Sequence, residues 1–271
     1  MGFVMAVDRS LWIAAVRNLT VRTLFAVAVL GAGVAGVPAG AGAEAAKSGG
    51  TEYWTIASED HFPPYNFTNK GQRTGIDTQI VNAILKELGV EAQHKAVSWP
   101  EVVKLLDTGK VDVAFQFVGN EERFKKYFMI GPFRVGTTVI MMKKGKTVPF
   151  NTVKDLVGLR IGIVKGFSYS PDFDAADFLT KIPAGGSLTN FRRLFLDIVD
   201  AIVGDRKTLE YFAEQDGLRD KVDVLEKPLI LAPRYIAMPR AQADKAARFR
   251  DAFERLKAVG AIDRIITDWQ E

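Results

Sequence analysis

The chain has 271 residues, which is enough for two structural lobes. Hydrophobic residues make up 48% and charged residues 25%, so the composition is that of a globular protein and excludes a disordered chain. The net charge is only +4 with the two signs interleaved, which gives no support for nucleic-acid binding. The absence of cysteine excludes disulfides, thiol nucleophiles and thiolate metal sites.

The first residues have the pattern of a secretory signal peptide. Three arginines precede an uncharged apolar run, Leu24 to Val37, and the small residues Ala41-Gly42-Ala43 follow. The run is shorter than the roughly 20 residues of a spanning helix, which favours a cleaved signal over a retained anchor. We predict a signal peptide over residues 1–43, and its loss removes three arginines and Asp8, lowering the net charge from +4 to +2. We therefore expect a periplasmic protein.

The next part of the chain alternates between strand and helix patterns. Tyr53 to Ser58 is a predicted strand, and apolar residues recur at helical spacing from Ile76 to Leu88, with Asp77 as the expected cap. A capping-box pattern, Ser98-Trp99-Pro100-Glu101, begins a second predicted helix. Val111 to Val118 is a nearly continuous apolar strand, which is typical of a parallel sheet covered on both faces. The predicted class is α/β.

A second block with the same alternation begins near Thr152. Thr152-x-x-Asp155 is a capping pattern, Arg160 to Val164 is a predicted strand, and Ser170-Pro171 begins a further helix. A helix from Leu188 to Leu196 then leads into a strand from Ile198 to Val203. The repetition of the alternation predicts two matched α/β lobes.

Two extended segments are expected to connect the blocks, Thr137 to Met142 and Arg234 to Met238. The chain ends in amphipathic helices that we expect to pack on the first lobe. We predict that residues 51–137 and 234–271 form lobe 1 and that residues 138–233 form lobe 2. Two lobes joined by two crossings make a hinge with a cleft, a geometry suited to closing around a small ligand.

Several motifs follow one another in a characteristic order: WTIASEDHFPPYNF, GIDTQI, SWPEVVKLLDTGKVDV, an arginine within EER, GPF, IGIVKG and VDAIVGD. In this order the chain resembles the bacterial extracellular solute-binding proteins of polar amino acid ABC importers, solute-binding protein family 3. The resemblance covers residues 51–271. It implies a type II periplasmic-binding-protein fold, with a two-strand hinge, that captures an amino acid in the cleft and presents it to an ABC permease in the inner membrane. We expect a monomer with no cofactor and no metal.

The resemblance also implies ligand-binding residues. Arg123 matches an arginine that forks onto the ligand carboxylate, and the resemblance favours this role, whereas its charged neighbours taken alone favour a solvated side chain. Asp205 matches the partner of the ligand ammonium group and is also placed to cap a helix. Ser168 matches a hydroxyl that binds the carboxylate or simply begins a helix, and Phe167 stands where threonine is common.

Four further positions match the first lobe's side of the cleft. Glu59 and Phe62 match an acid and an aromatic residue at its mouth, where the acid could meet a cationic ligand group; Phe62 is equally consistent with a loop anchor in the core. Gln116 and Val118 match strand-end positions that usually carry small hydroxyl residues. Because Val118 and Phe167 replace hydroxyls, the expected pocket is more apolar. The ligand is then a hydrophobic, aromatic, modified or basic amino acid, or another small carboxylate.

Two other functions stay open at this level. An enzyme on the same scaffold, dehydratase-like, could use Glu59, Asp60 or Asp205 as acid or base, and a ligand-sensing accessory protein would signal to a separate partner. The sequence shows no evident nucleophile–base pair and no metal-ligand spacing, and we expect His61 and His94 at the surface or in loops. We therefore expect a binding protein rather than an enzyme.

Overall fold

The computed structural model describes residues 52–269, so the predicted signal peptide lies outside the described residues. Within that range, every helix is too short or too polar to cross a membrane.

The described residues form α/β structure, as predicted. The strands are β1 Glu52–Glu59, β2 Phe67–Asn69, β3 Gln72–Thr74, β4 Val90–Val97, β5 Val113–Val118, β6 Tyr127–Lys143, β7 Arg160–Val164, β8 Thr180–Ala184, β9 Ala201–Asp205, β10 Val222–Val224 and β11 Ile230–Pro239. The α-helices are α1 Ile76–Glu87, α2 Trp99–Asp107, α3 Glu121–Lys126, α4 Pro171–Ala175, α5 Ser187–Phe195, α6 Arg206–Gln215, α7 Ala243–Ala258 and α8 Ala261–Thr267. Short 3-10 helices cover Val153–Leu156, Arg219–Lys221 and Arg240–Gln242.

The main sheet has the strand order β4-β1-β5-β11-β6-β9-β7-β8, with β10 beside β6, and β2 and β3 form a separate hairpin. Strand β1 pairs in parallel with β4 and β5, and β7 pairs in parallel with β8 and β9. Strands β6 and β11 pair with each other and with their outer neighbours in the antiparallel direction. The sheet therefore contains two parallel groups joined by two long antiparallel strands.

These two long strands contain the segments that the sequence predicts as connectors. Strand β6 has 17 residues and pairs with β11 along much of its length before its last residues pair with β9. In this ladder Arg134 lies directly opposite Arg234. Both connectors are extended as predicted, and each is part of the sheet.

Hydrophobic clusters lie on both sides of these crossing strands. One cluster contains Trp54 and Ile80 together with Phe249 and Phe253 from α7. Another contains residues from the middle of the chain, including Phe173 and Val203. Helix α7 packs against α1. The exact residues at which the lobes divide stay a prediction.

Several local predictions differ from the structure. Strand β4 and the β2–β3 hairpin were not predicted, and the strand expected over residues 198–203 is shifted to β9. Asp77 does not cap α1: Gly75 occupies the N-cap position at φ 115°, and the Asp77 carboxylate pairs with Arg134 instead. Ser98 is the N-cap of α2 but makes no side-chain cap bond.

Two other caps form as their patterns predict. The capping box between Thr152 and Asp155 is complete at the first 3-10 helix. The Ser170 hydroxyl accepts the Phe173 backbone N–H at the start of α4. In both cases donor and acceptor are close in sequence, so local geometry suffices to bring them together.

Candidate functional site

A small cavity opens where the ends of β1 and β5 meet the loop after β7 and strand β11. Because β1 and β5 are parallel, their carboxyl ends lie at the same edge of the sheet, where α/β proteins commonly bind ligands. The empty space between its walls, including space that is open to solvent, is about 230 Å³. The side chains that line it are Glu59, Phe62, Trp99, Gln116, Val118, Arg123, Phe167, Ser168 and Arg234. Seven of the eight residues that the sequence analysis named therefore lie together.

Asp205 is the exception, because it is not among the residues lining this cavity. Its carboxylate accepts the Lys207 backbone N–H at the start of α6, so the expected helix cap forms. Its Oδ2 also lies 3.9 Å from Arg134 Nη1 and 3.6 Å from Arg234 Nη2. Two buried arginines thus surround the acid that the resemblance assigns to the ligand ammonium group, and that role stays a prediction.

The two arginines extend this ion network to α1. Arg134 donates to both carboxylate oxygens of Asp77, at 2.5 Å from Nε and 2.8 Å from Nη2. The Arg134 guanidinium also lies 3.4 Å from the ring centre of Tyr65. A bidentate pair fixes the plane of the guanidinium, so this part of β6 is held rigidly against α1.

Arg123 is not the freely solvated side chain that its neighbours suggest. Asn120 caps α3 by accepting the Arg123 backbone N–H at 2.8 Å, which places the side chain at the edge of β5. Its guanidinium donates to the carbonyl oxygens of Val118 at 2.9 Å and Gly166 at 2.8 Å. Burial lowers the pKa of Arg123 to about 10, so the side chain remains charged at neutral pH.

Glu59 is the acid of the cavity. Only 4% of the residue is exposed, and this burial raises the pKa of its carboxyl to about 8, against the lowering effects of a hydrogen bond from the Ser187 backbone and of the Arg234 charge. Ser187 is the first residue of α5, so Glu59 faces the N-terminus of a helix from the other parallel group. At neutral pH the carboxyl is mostly protonated and uncharged.

Gln116 carries two unsatisfied polar atoms into the cavity lining. Its backbone lies at φ 78°, a conformation that non-glycine residues adopt rarely. The residue is 4% exposed, yet neither its amide nitrogen nor its amide oxygen has a hydrogen-bond partner among the described residues. Buried polar groups are normally paired, and strained residues concentrate at functional sites. Both observations therefore indicate that Gln116 has a functional role.

Aromatic rings form the apolar wall. Phe167 packs edge-on against Trp99 at 5.2 Å between ring centres and against Phe62 at 6.3 Å. The Trp99 indole donates to the Gly166 carbonyl at 3.0 Å. The Ser168 hydroxyl donates to Asp174 at 2.9 Å, so its hydrogen is already used within the loop. With Val118 and Phe167 in place of hydroxyl residues, the wall is more apolar, as the sequence indicated.

Trp99 and Arg234 are cavity residues that sequence reasoning missed. Trp99 was interpreted only as part of the capping pattern at the start of a helix, and that pattern gives no signal of a position in the cavity wall. Arg234 was assigned only to a connector, although a charged residue within an otherwise apolar strand is a signal of a special environment. Its pKa is lowered by burial, with Asp205 opposing the shift.

The histidines follow the expectation only in part. His61 lies in a loop and stacks on Phe212 at 5.5 Å. His94 is in strand β4 and is half-buried, where its Nε2 lies 2.6 Å from the Ser58 hydroxyl, so the expectation of a surface or loop position is wrong for this residue. Burial lowers the His94 pKa to about 4. Neither Ser58 nor His94 lines the cavity, and residues 52–269 contain no cluster suited to a metal ion.

Solved structures share the whole fold. A structure described as an ancestral arginine-binding protein bound to arginine is similar with a TM-score of 0.73 and 24% identity, covering 81% of this chain and 98% of that one. A histidine kinase sensor domain with similarity to periplasmic binding proteins has a TM-score of 0.71 and 18% identity, covering 81% and 96%. The fold class is therefore that of a type II periplasmic binding protein, as expected.

The family follows from the sequence comparison. The family model of the bacterial extracellular solute-binding proteins, family 3, matches residues 54–271, and the chain belongs to this family. The L-cystine-binding protein TcyJ of Escherichia coli (strain K12) is similar at 24% identity over 220 residues, covering 79% of this chain and 81% of that protein. The probable amino-acid-binding protein YxeM of Bacillus subtilis (strain 168) is 24% identical over 210 residues, covering 74% and 78%. The family and the names of these relatives are those of binding proteins rather than enzymes.

Proposed function

We propose that this protein is the substrate-binding component of an ABC importer, that it binds a small amino acid or related carboxylate between two closing lobes, and that it delivers the ligand to a permease in the inner membrane. Several similar proteins carry names as amino-acid, cystine, histidine or arginine binders. The cavity contains the charged anchor that such a ligand requires.

The observation that carries the proposal is the charged Arg123 guanidinium in the cavity wall. Two of its five N–H donors are held by the carbonyls of Val118 and Gly166, which orient the group and leave further donors for a carboxylate. The guanidinium also lies 5.2 Å from the ring centre of Phe117. An oriented and partly desolvated guanidinium binds a carboxylate more strongly than a mobile surface arginine does.

The cavity combines residues from both predicted lobes. Glu59, Gln116 and Arg123 belong to lobe 1 as the sequence divides it, whereas Phe167 and Ser168 belong to lobe 2. The hydrogen bond from Arg123 to Gly166 crosses the same division. A ligand held by these groups would favour the closed arrangement, because its contacts are complete only when the lobes meet.

We further propose export by the signal at residues 1–43, action in the periplasm as a monomer, and no catalysis. The extracellular location of the family supports export and action in the periplasm. The Ser58–His94 pair has the residue types of a nucleophile and a base, but Ser58 is fully buried, its hydroxyl accepts a hydrogen bond from the Asn66 amide, and neither residue of the pair lines the cavity. Recovery of the ligand unchanged after incubation with the mature protein would support this proposal, and product formation would contradict it.

Calorimetry on ligand-stripped mature protein tests the proposal, preceded by a thermal-shift screen of amino acids and small organic acids. We expect at least one compound to bind at 1:1 stoichiometry and to raise the melting temperature. Arg123→Ala should weaken its binding by more than about 2 kcal/mol, since a charge partner is lost from a closed site. Arg248→Ala is the matched control, because Arg248 pairs with Glu52 and does not line the cavity. Equal affinities for wild type and Arg123→Ala would reject Arg123 as the anchor.

A further inference from the structure

A second polar subsite lies in the same cavity, apart from the Arg123 anchor. Gln116 and Arg234 both line the cavity, and both are buried, with 4% of each residue exposed. Arg234 Nη1 lies 3.4 Å from the Gln116 backbone carbonyl, so the two residues are adjacent. The Gln116 amide and the Arg234 Nε have no hydrogen-bond partner in the described part of the chain. Two acceptors at this place, the Gln116 amide oxygen and Asp205 Oδ2, are unpaired as well. Buried polar groups are normally paired, so a polar ligand group would complete this set.

The charges around this subsite favour an anion. Arg134 and Arg234 face Asp77 and Asp205, so these four charges balance. Asp205 stands 3.6 Å from Arg234 Nη2 without a hydrogen bond to it, which leaves the guanidinium incompletely paired. Arg123 adds one further positive charge, and Glu59 is the only carboxyl among the cavity-lining residues, with a pKa raised to about 8 by burial. At neutral pH the residues that line the cavity therefore carry a surplus positive charge, and the charges of Glu122 and Asp174 act on Arg123 from outside this lining.

We propose that Arg234 and Gln116 bind a second carboxylate of the ligand, so that the site selects dicarboxylic amino acids, or similar dicarboxylates, over ligands with one carboxylate. This inference rests on the proposed function and specifies its ligand class. Arg123 binds one carboxylate, and the Arg234 Nε–H and the Gln116 amide N–H donate to the other. A ligand with net charge −1 neutralises the surplus charge of the wall, whereas a cationic side chain would add to it.

The experiment is calorimetry at pH 7 on ligand-stripped mature protein with matched ligand pairs. The pairs are L-glutamate with L-glutamine, L-aspartate with L-asparagine, and L-2-aminoadipate with L-norleucine. We expect at least one dicarboxylate to bind ten-fold or more tightly than its partner. Arg234→Lys keeps the charge but loses the Nε donor, and it should reduce this ratio at least five-fold.

Gln116→Met provides a second variant, because Arg234 is part of the buried ion network and its replacement could impair folding. Methionine keeps the length of the side chain and removes two polar atoms that have no partner. We expect this variant to lose at least five-fold of the dicarboxylate preference and, without ligand, to melt at a higher temperature than the wild type. Asn190→Leu is the matched control: Asn190 is 1% exposed with an unpaired amide, but it does not line the cavity. It should melt higher with unchanged affinities.

The outcomes separate this inference from the proposed function. If ligands with one carboxylate bind as tightly as the dicarboxylates, the second subsite is refuted while the binding function stands. If no carboxylic acid binds, both are refuted. A Gln116→Met variant that melts lower and weakens all ligands equally would show a structural role for Gln116, and the inference would fail.

Discussion

Replacement of Glu59 by glutamine should change how the stability of the protein depends on pH. The residue is 4% exposed, and burial raises the pKa of its carboxyl from 4.5 to about 8. The folded state therefore binds this proton more tightly than the unfolded state does. In such a case the free energy of unfolding is highest at low pH and falls as the pH rises from about 4.5 to about 8.

The size of the effect follows from the two pKa values. Between pH 5 and pH 8.5 the ionisation of Glu59 should reduce the free energy of unfolding by about 4 kcal/mol, at about 1.36 kcal/mol per pKa unit. Glutamine has no proton to lose, and its amide oxygen can still accept the Ser187 backbone hydrogen bond. The free energy of unfolding of Glu59→Gln minus that of the wild type should therefore be about 4 kcal/mol larger at pH 8.5 than at pH 5.

Urea unfolding of the ligand-free mature protein at both pH values measures this difference. Glu52→Gln is a suitable control, because hydrogen bonds from Arg248 and Trp54 lower the pKa of Glu52. A carboxyl whose pKa is lowered in the folded state loses its stabilising contribution only below its pKa in the unfolded state. The difference in the free energy of unfolding between Glu52→Gln and the wild type should therefore be the same at pH 5 and pH 8.5. A Glu59→Gln effect that is equally large at both pH values would refute the buried, protonated carboxyl.

Three further substitutions test the fold. Asp77→Ala leaves Arg134 buried without its bidentate partner and should lower the free energy of unfolding by about 3–5 kcal/mol; urea unfolding with a loss below 1 kcal/mol would contradict a buried pair. Gly75→Ala should destabilise far more than Gly71→Ala in thermal melts, since both residues have positive φ but only at Gly75 would a Cβ overlap neighbouring backbone; equal shifts would argue against this packing. Phe249→Ala should cost about 3–5 kcal/mol in urea unfolding by leaving a cavity in the core, and a near-neutral result would exclude that core position.

The local features of this protein follow closely from its sequence. Strand β5 and helix α1 form where apolar residues recur with the matching period, and the Thr152 capping box forms because its groups are three residues apart. The α/β class follows from this alternation, and the order of the motifs identifies the family. Strand β4 escaped prediction because most of its side chains are exposed or half-buried, so its apolar pattern is weak.

The site is determined by the sequence only in outline. Seven cavity residues were identified because each lies within, or a few residues after, one of the motifs whose order is characteristic. Arg234 was missed because its cavity neighbour Gln116 is 118 residues away in the chain, and no local pattern reports that contact. Asp205 shows the converse: its helix cap is local and predictable, whereas its two arginine neighbours come from distant strands.

The sequence by itself thus determined the α/β class, the family, the positions of most helices and strands, and a set of residues near one sheet edge. Only the tertiary structure decided which charges meet there. It placed Arg134 opposite Arg234 in the ladder of β6 and β11, and directed both toward Asp205. The physical reason is that periodicity and capping act over a few residues, whereas burial, ion pairing and pKa depend on groups that folding brings together from distant parts of the chain.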